Sequence, residues 1–263
     1  MSTGVKVPPL TVLYQPVVEL ESGRVVGAEA LTRFHDPGGA LYSPARDGLI
    51  DRIEADATAS EHLMRELLAQ IARDMIPLFD SRPHFYIGVN VPPSMLGSGV
   101  IKHIVQHLQL EPYLGRFLVE VTERQALTDL GRTALAASRA LGARVAIDDF
   151  GTGQSGLHQL LGLEFDVLKI DRSQVQPIIA DKLARRLLRG VVALGGSLRV
   201  KLTAEGVETR TQAMFLHAAG VDCGQGWYWS KALLADRFRL ALDAGFEESV
   251  RWEDEPPPLS AGR

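Results

Sequence analysis

The sequence predicts an α/β protein, a (β/α)8 TIM-like barrel whose first strand is antiparallel. Three observations carry this. Eight apolar, β-branched segments recur along the 263 residues, most of them separated by stretches of helical periodicity. Their apolar runs are near-continuous, as strands buried on both faces require. The first two are joined only by Glu21-Ser22-Gly23, a connection too short for a parallel pair. A barrel of this kind uses such a length as one domain, so a single domain is expected over residues 1–250. The acidic, Pro-rich stretch 251–263 reads as a disordered tail.

The strand segments are residues 11–20, 24–31, 85–91, 117–123, 144–150, 165–171, 199–207 and, more weakly, 221–229. Between them, Leu63, Met64, Leu67, Leu68, Ile71 and Met75 share one helical face, and Val100, Ile101, Ile104, Val105 and Leu108 share another. A helix over 128–141 stops at Gly142, a C′ glycine. Residues 180–194 read as helix up to Gly195-Gly196. Thr209 with Gln212 forms a capping box that opens the next helix, and a last one covers 234–244.

Composition narrows the function classes. Hydrophobic residues make up 46% and charged residues 23%, which excludes a largely disordered chain. A net charge of −4 gives no support to a nucleic-acid polymer as partner or to a polybasic membrane anchor. One cysteine, Cys223, excludes an internal disulfide framework and a Cys-rich zinc site, and fits a reducing compartment; the cytoplasm is expected. No apolar run approaches the ~18–20 residues of a spanning helix, and the N-terminus lacks the apolar core of a secretory signal.

The polar residues inside these segments fall late in each strand: Glu29, Asn90, Glu120 and Glu123, Asp148 and Asp149, Lys169 and Asp171, Glu205 and Glu208, and Gln225. In a barrel those ends converge on one mouth. So many carboxylates in one place repel each other unless cations are bound, and an oxygen-rich set without Cys or clustered His selects Mg²⁺ or Mn²⁺. Any one such acid alone reads equally as a helix cap or a solvated residue. Adjacent Asp148 and Asp149 point to opposite faces in a regular strand, so both reach one site only where the strand ends.

Other motifs carry less. Gly151-Thr152-Gly153-Gln154-Ser155-Gly156 matches G-x-G-x-x-G, but a pyrophosphate there would lie beside two aspartates. Asp149-Phe150-Gly151 matches the kinase triplet without the kinase's other loops. His103 and His107 lack the glutamate of a zinc-protease motif and read as surface or packed residues, and Cys223 reads as a small packed hydrophobe.

Taken in order, Glu29-Ala30-Leu31 preceded by Tyr14-Gln15-Pro16, then Asn90, Glu120-Val121-Thr122-Glu123, Asp148-Asp149-Phe150-Gly151-Thr152-Gly153, Lys169-Ile170-Asp171, Ala204-Glu205-Gly206-Val207-Glu208-Thr209 and Gln225-Gly226 resemble the EAL-domain cyclic di-GMP phosphodiesterases over about residues 10–245. The resemblance implies two divalent metals, Mg²⁺ or Mn²⁺. Glu29, Asn90, Glu120 and Asp148 would hold one, and Asp148, Asp149 and Glu205 the other. It implies that Lys169 orients the attacking water, that Asp171 orients Lys169, and that Glu208 and Gln225 complete the shell of water and metal. Glu123 would anchor loop 149–156, and Arg33 and Gln15 would contact substrate. The product implied is linear pGpG, and the assembly a homodimer with a regulatory partner or fused sensor domain. The chain departs from the family at residues 43–60, a shortened and altered stretch, at Gln154 and Gly156 in the loop, and at Gly195-Gly196-Ser197, which reads as an insertion. A receptor that binds the dinucleotide without turnover is the alternative, although such a receptor usually lacks a metal ligand and none is missing here.

Overall fold

The computed structural model describes residues 4–151 and 162–246. The expected tail, 251–263, and most of the loop after Asp149 lie outside the described residues. In chain order come β1 (Leu10–Glu19), β2 (Val25–His35), β3 (Leu41–Tyr42), α1 (Leu49–Ala55), α2 (Ala57–Ser81), β4 (Tyr86–Asn90), α3 (Pro93–Leu96), α4 (Val100–His107), β5 (Phe117–Thr122), α5 (Glu123–Ala126), α6 (Asp129–Ala140), β6 (Arg144–Phe150), β7 (Val167–Ile170), α7 (Arg172–Val175), α8 (Lys182–Leu198), β8 (Lys201–Ala204), α9 (Arg210–Ala219), β9 (Cys223–Gly224) and α10 (Ala235–Ala244).

The strands run β1-β9-β8-β7-β6-β5-β4-β2-β3, and pairing of β1 with β2 closes the barrel. The β1–β2 pair is antiparallel, as the short connection required, and β1 is antiparallel to β9 as well. The remaining neighbours around the barrel are parallel. β3 is a two-residue strand on the edge of β2 that the sequence reading missed.

Two apolar layers hold the barrel. One face of the strands packs against the helices, with Ile87, Val119, Val121, Val145, Ile147, Leu168, Ile170 and Leu202 meeting Leu67, Ile71, Ile104, Leu135 and Leu188. The other fills the lumen: Val17, Tyr86, Leu118, Ala146, Val167 and Cys223 form a separate cluster. Because strand side chains alternate, the residue two places further toward the mouth shares the lumen column. Those residues are Gln15, Gly88, Glu120, Asp148, Lys169 and Gln225. The alternation thus sets a polar layer directly above an apolar plug.

Two expectations are corrected. The helix read as ending at Gly195-Gly196 continues as α8 to Leu198, and reverses at Arg199 with φ 58°. Gly195 lies there for close packing: a Cβ would come within 2.8 Å of Leu202 Cδ2 on β8. The eighth strand shrinks to two residues. Its chain turns at Gly226, where a Cβ would come within 2.1 Å of the Val207 carbonyl oxygen. The capping box of Thr209 and Gln212 and the positive φ of Gly142 are present as read.

Candidate active site

Lys169 organises the mouth of the barrel. Its ammonium is buried, 2.6 Å from Glu205, 2.9 Å from Glu120, 3.2 Å from Asp148 and 3.6 Å from Glu29. Burial lowers the affinity of such an amine for its proton, but the four carboxylates outweigh it and hold Lys169 charged well above the usual range. One cation cannot balance four acids. Burial, opposed by Lys169 and aided by Asp148 and Glu29, pushes Glu205 up to about 8. Glu120 is raised well above the carboxylate range for the same reason, burial first, against the pull of Lys169.

Asp148 and Asp149 reach the same place through a β-bulge. Ile147 faces Leu168 and Phe150 faces Ile170, so two residues of β6 oppose the single Lys169 of β7. Asp149 takes φ 55°, uncommon for a side chain other than glycine, and its amide donates to Asp148 Oδ1 at 2.8 Å. Carboxylate oxygens of Asp148, Asp149 and Glu205 thereby lie within 4.8 Å of one another. Burial and then the charge of Asp148 raise Asp149 above the usual range.

On the opposite side, Asn90 Nδ2 donates to Glu29 Oε1 at 3.2 Å. Gln225 Nε2 donates to Glu29 Oε2 at 2.6 Å and to Gln15 Oε1 at 3.1 Å, and Gln15 Nε2 donates to the Ser230 carbonyl at 3.1 Å. Gln225 Oε1 is buried with no hydrogen-bond partner. An orphan acceptor beside a surplus of carboxylates fits a hard divalent cation, so these residues suit the expected metals.

Three expected roles look different in place. Asp171 caps α7, accepting from the Ser173 amide at 2.9 Å, and bears on Asp149 by charge; the four carboxylates occupy Lys169. Glu208 is exposed and held by Gln176 (3.2 Å) and Arg172 (3.4 Å). Arg33 is half-buried and donates to the Thr32 carbonyl at 2.8 Å; burial lowers its pKa, with Glu29 opposing. Glu123, by contrast, is buried in the first turn of α5 and accepts from the Gly151 amide at 2.9 Å, at the start of the loop.

The sequence reading missed Gly88, whose bare Cα leaves room for Glu120: a Cβ there would lie 2.2 Å from Glu120 Oε1. A glycine interrupting the apolar run of 85–91 was the available signal. It also missed Gln174, which donates to the Phe150 carbonyl and braces the bulge. His103 and His107 are exposed on α4, and Cys223 is buried, its thiol pushed up to about 12 by burial.

Residues 4–232 match the EAL domain family. The chain belongs to the EAL domain family. It is 32% identical over 234 residues to the probable cyclic di-GMP phosphodiesterase PdeB of Escherichia coli K12, covering 87% of this chain and 44% of that protein. The chain spans less than half the length of this relative and of three further Escherichia coli relatives, the probable cyclic di-GMP phosphodiesterases PdeN, PdeD and PdeG. Among solved structures it resembles the PaMucR phosphodiesterase in complex with c-di-GMP (TM-score 0.77, 30% identity, 87% of this chain and 94% of that one). It also resembles Klebsiella pneumoniae BlrP1 in its manganese/cy-diGMP complex (TM-score 0.72, 28% identity, 89% and 58%). No helix among the described residues is long and apolar enough to cross a membrane.

Proposed function

We propose that this chain is a metal-dependent phosphodiesterase that hydrolyses cyclic di-GMP to linear pGpG. The observation that carries the reading is the convergence of Asp148, Asp149 and Glu205 within 4.8 Å, beside a buried lysine in contact with four acids. Glu29, Asn90, Glu120 and Asp148 would hold one Mg²⁺ or Mn²⁺, and Asp148, Asp149 and Glu205 a second. When bound, the ions supply Lewis-acid stabilisation of phosphoryl charge and lower the pKa of a water.

The chain's own groups do the rest. Lys169, held charged, orients the attacking water and offsets charge that develops on the phosphoryl oxygens. Gln225 fixes Glu29 by hydrogen bonding and offers its free carbonyl oxygen to the site. Arg33, at the rim, takes a substrate phosphate, with Gln15 behind it. Glu123 pins Gly151 and so sets the position of Asp149 two residues earlier. Glu208 and Asp171 contribute as charges at the edge of the site. Water adds across one phosphodiester, leaving one 5′ phosphate and one 3′ hydroxyl.

A homodimer, a regulatory partner or fused sensor domain and a cytoplasmic location belong to the same reading. The test is incubation with cyclic di-GMP, metal by metal, followed by chromatography. Mg²⁺ or Mn²⁺ should yield pGpG, while Ca²⁺, with longer bonds and weaker acidification of water, should support binding and little turnover. Tight binding with no pGpG after hours in Mg²⁺ or Mn²⁺ would establish the receptor alternative instead.

A further inference from the structure

The end of the barrel opposite the active site opens into a cavity of ≈ 830 Å³, within the range of roughly 300–1,000 Å³ common to ligand pockets. The lumen columns explain its chemistry. Arg144 lies two residues before Ala146, and Lys201 two before Thr203, so both side chains belong to the lumen face beneath the apolar plug. The plug of Tyr86, Leu118, Ala146 and Val167 separates this cavity from the acids at the mouth.

The charge there is unbalanced. Arg24 and Arg82 line the cavity but are paired, with Glu19 at 3.4 Å and Asp243 at 2.9 Å. Asp166, near the start of β6, is taken by Arg139 at 2.9 Å and by the Val145 amide at 2.8 Å. Arg144 and Lys201 have no ion-pair partner among the described residues, and Glu19 is the one carboxylate among the described lining residues. The Arg144 guanidinium lies over the Tyr86 ring, 4.6 Å from its centroid, and its Nε is buried without a hydrogen-bond partner. Stacking fixes the plane of the fork, so its free donors are held in place for an oxyanion. Val25 and Val26, half-buried, and the exposed Pro83 supply apolar wall beside it, with the buried rings of Phe85 and Trp229 in the same lining.

We propose that this cavity is a second, non-catalytic ligand site that takes a phosphate monoester with a flat apolar body, its phosphate between Arg144 and Lys201. A monoester near −2 matches two unpaired cations, and a guanidinium fork suits its oxygens. The body lies along Val25, Val26 and Pro83. The site is independent of the proposed catalytic reading, since it shares no residue with the acid cluster.

The test uses phenyl phosphate as probe and ¹⁵N-labelled protein in EDTA, which removes metal-borne phosphate binding at the mouth. The Arg144 Nε–H signal, identified by its loss in Arg144→Lys, is followed during titration. The signal should shift saturably, with inorganic phosphate binding about tenfold more weakly because it lacks the body. Lys201→Gln, at an exposed side chain without an ion-pair partner among the described residues, should weaken phenyl phosphate by about tenfold, whereas Arg33→Ala at the other end should leave it within about twofold. A thermal melt of each variant checks folding, and if Arg144→Lys fails to fold, Lys201→Gln carries the comparison. No saturable shift up to about 10 mM, equal binding of inorganic phosphate, an unaffected Lys201→Gln, or loss of binding in Arg33→Ala would each overturn the proposal.

Discussion

Replacing Lys169 with methionine removes one buried cation while keeping a stem of similar length. The ammonium stands between 2.6 and 3.6 Å from four carboxylates. At an effective dielectric constant near 20 each contact is worth about 5–6 kcal/mol of attraction, and burial of the charges takes back several kcal/mol per ion. The net cost of removing one partner from such a cluster is about 3–5 kcal/mol, a large share of the ~5–15 kcal/mol that holds a domain folded. The loss depends on pH. At pH ~5, Glu205, with its pKa pushed up to about 8, already holds its proton, so the lysine offsets fewer charges and its removal costs only ~1–2 kcal/mol. At pH ~8 the full cost appears. Urea unfolding in EDTA at both pH values measures this directly. In Mg²⁺ the same variant should keep cyclic di-GMP affinity within about tenfold and lose turnover by at least ~10²-fold. A stability loss equal at both pH values, or binding and turnover falling by the same factor, would refute the reasoning.

Glu205 carries a raised folded-state pKa, about 8 against 4.5 unfolded, so its contribution is present at low pH and disappears as pH rises through the folded value. The metal-free protein should therefore lose stability between pH ~4.5 and ~8, and adding Mn²⁺ near pH 7 should release protons, read by pH-stat; silence in that measurement would count against a metal displacing protons there. Glu123→Ala removes the acceptor of the Gly151 amide and should cut turnover by about tenfold or more while costing only ~1–3 kcal/mol of stability, with Glu123→Gln restoring much of the activity. Gly88→Ala places a methyl 2.2 Å from Glu120 Oε1. Because Glu120 is buried and tied to Lys169, it cannot swing away, and the melt should report a loss of about 1–3 kcal/mol together with weakened metal binding.

The sequence by itself determined the architecture and most of the acid cluster that gathers around Lys169 at the barrel mouth. Eight buried strands, a three-residue link that only an antiparallel pair allows, and acids late in successive strands are all one-dimensional signals, because strand length, alternation and connection length are local properties. The polar layer above the lumen plug was equally legible, since Asp148 and Lys169 stand two residues beyond Ala146 and Val167. Only the tertiary structure decided what depends on neighbouring strands. The bulge that turns Asp149 toward Asp148 arises from β6 pairing with β7, and no pattern within β6 announces it. Gly195 reads locally as a helix stop, yet the helix passes through it, and its missing side chain is what gives Leu202 of β8 its space. Glu208 reads as another strand-end acid, but the chain after β8 turns it out to Arg172 and Gln176, while Glu123, the first residue of α5, is buried against Gly151. Whether a carboxylate joins a charge cluster or faces solvent is settled by distances of a few ångströms between segments far apart in sequence, and Coulomb energies at those distances exceed any local preference of the residue itself.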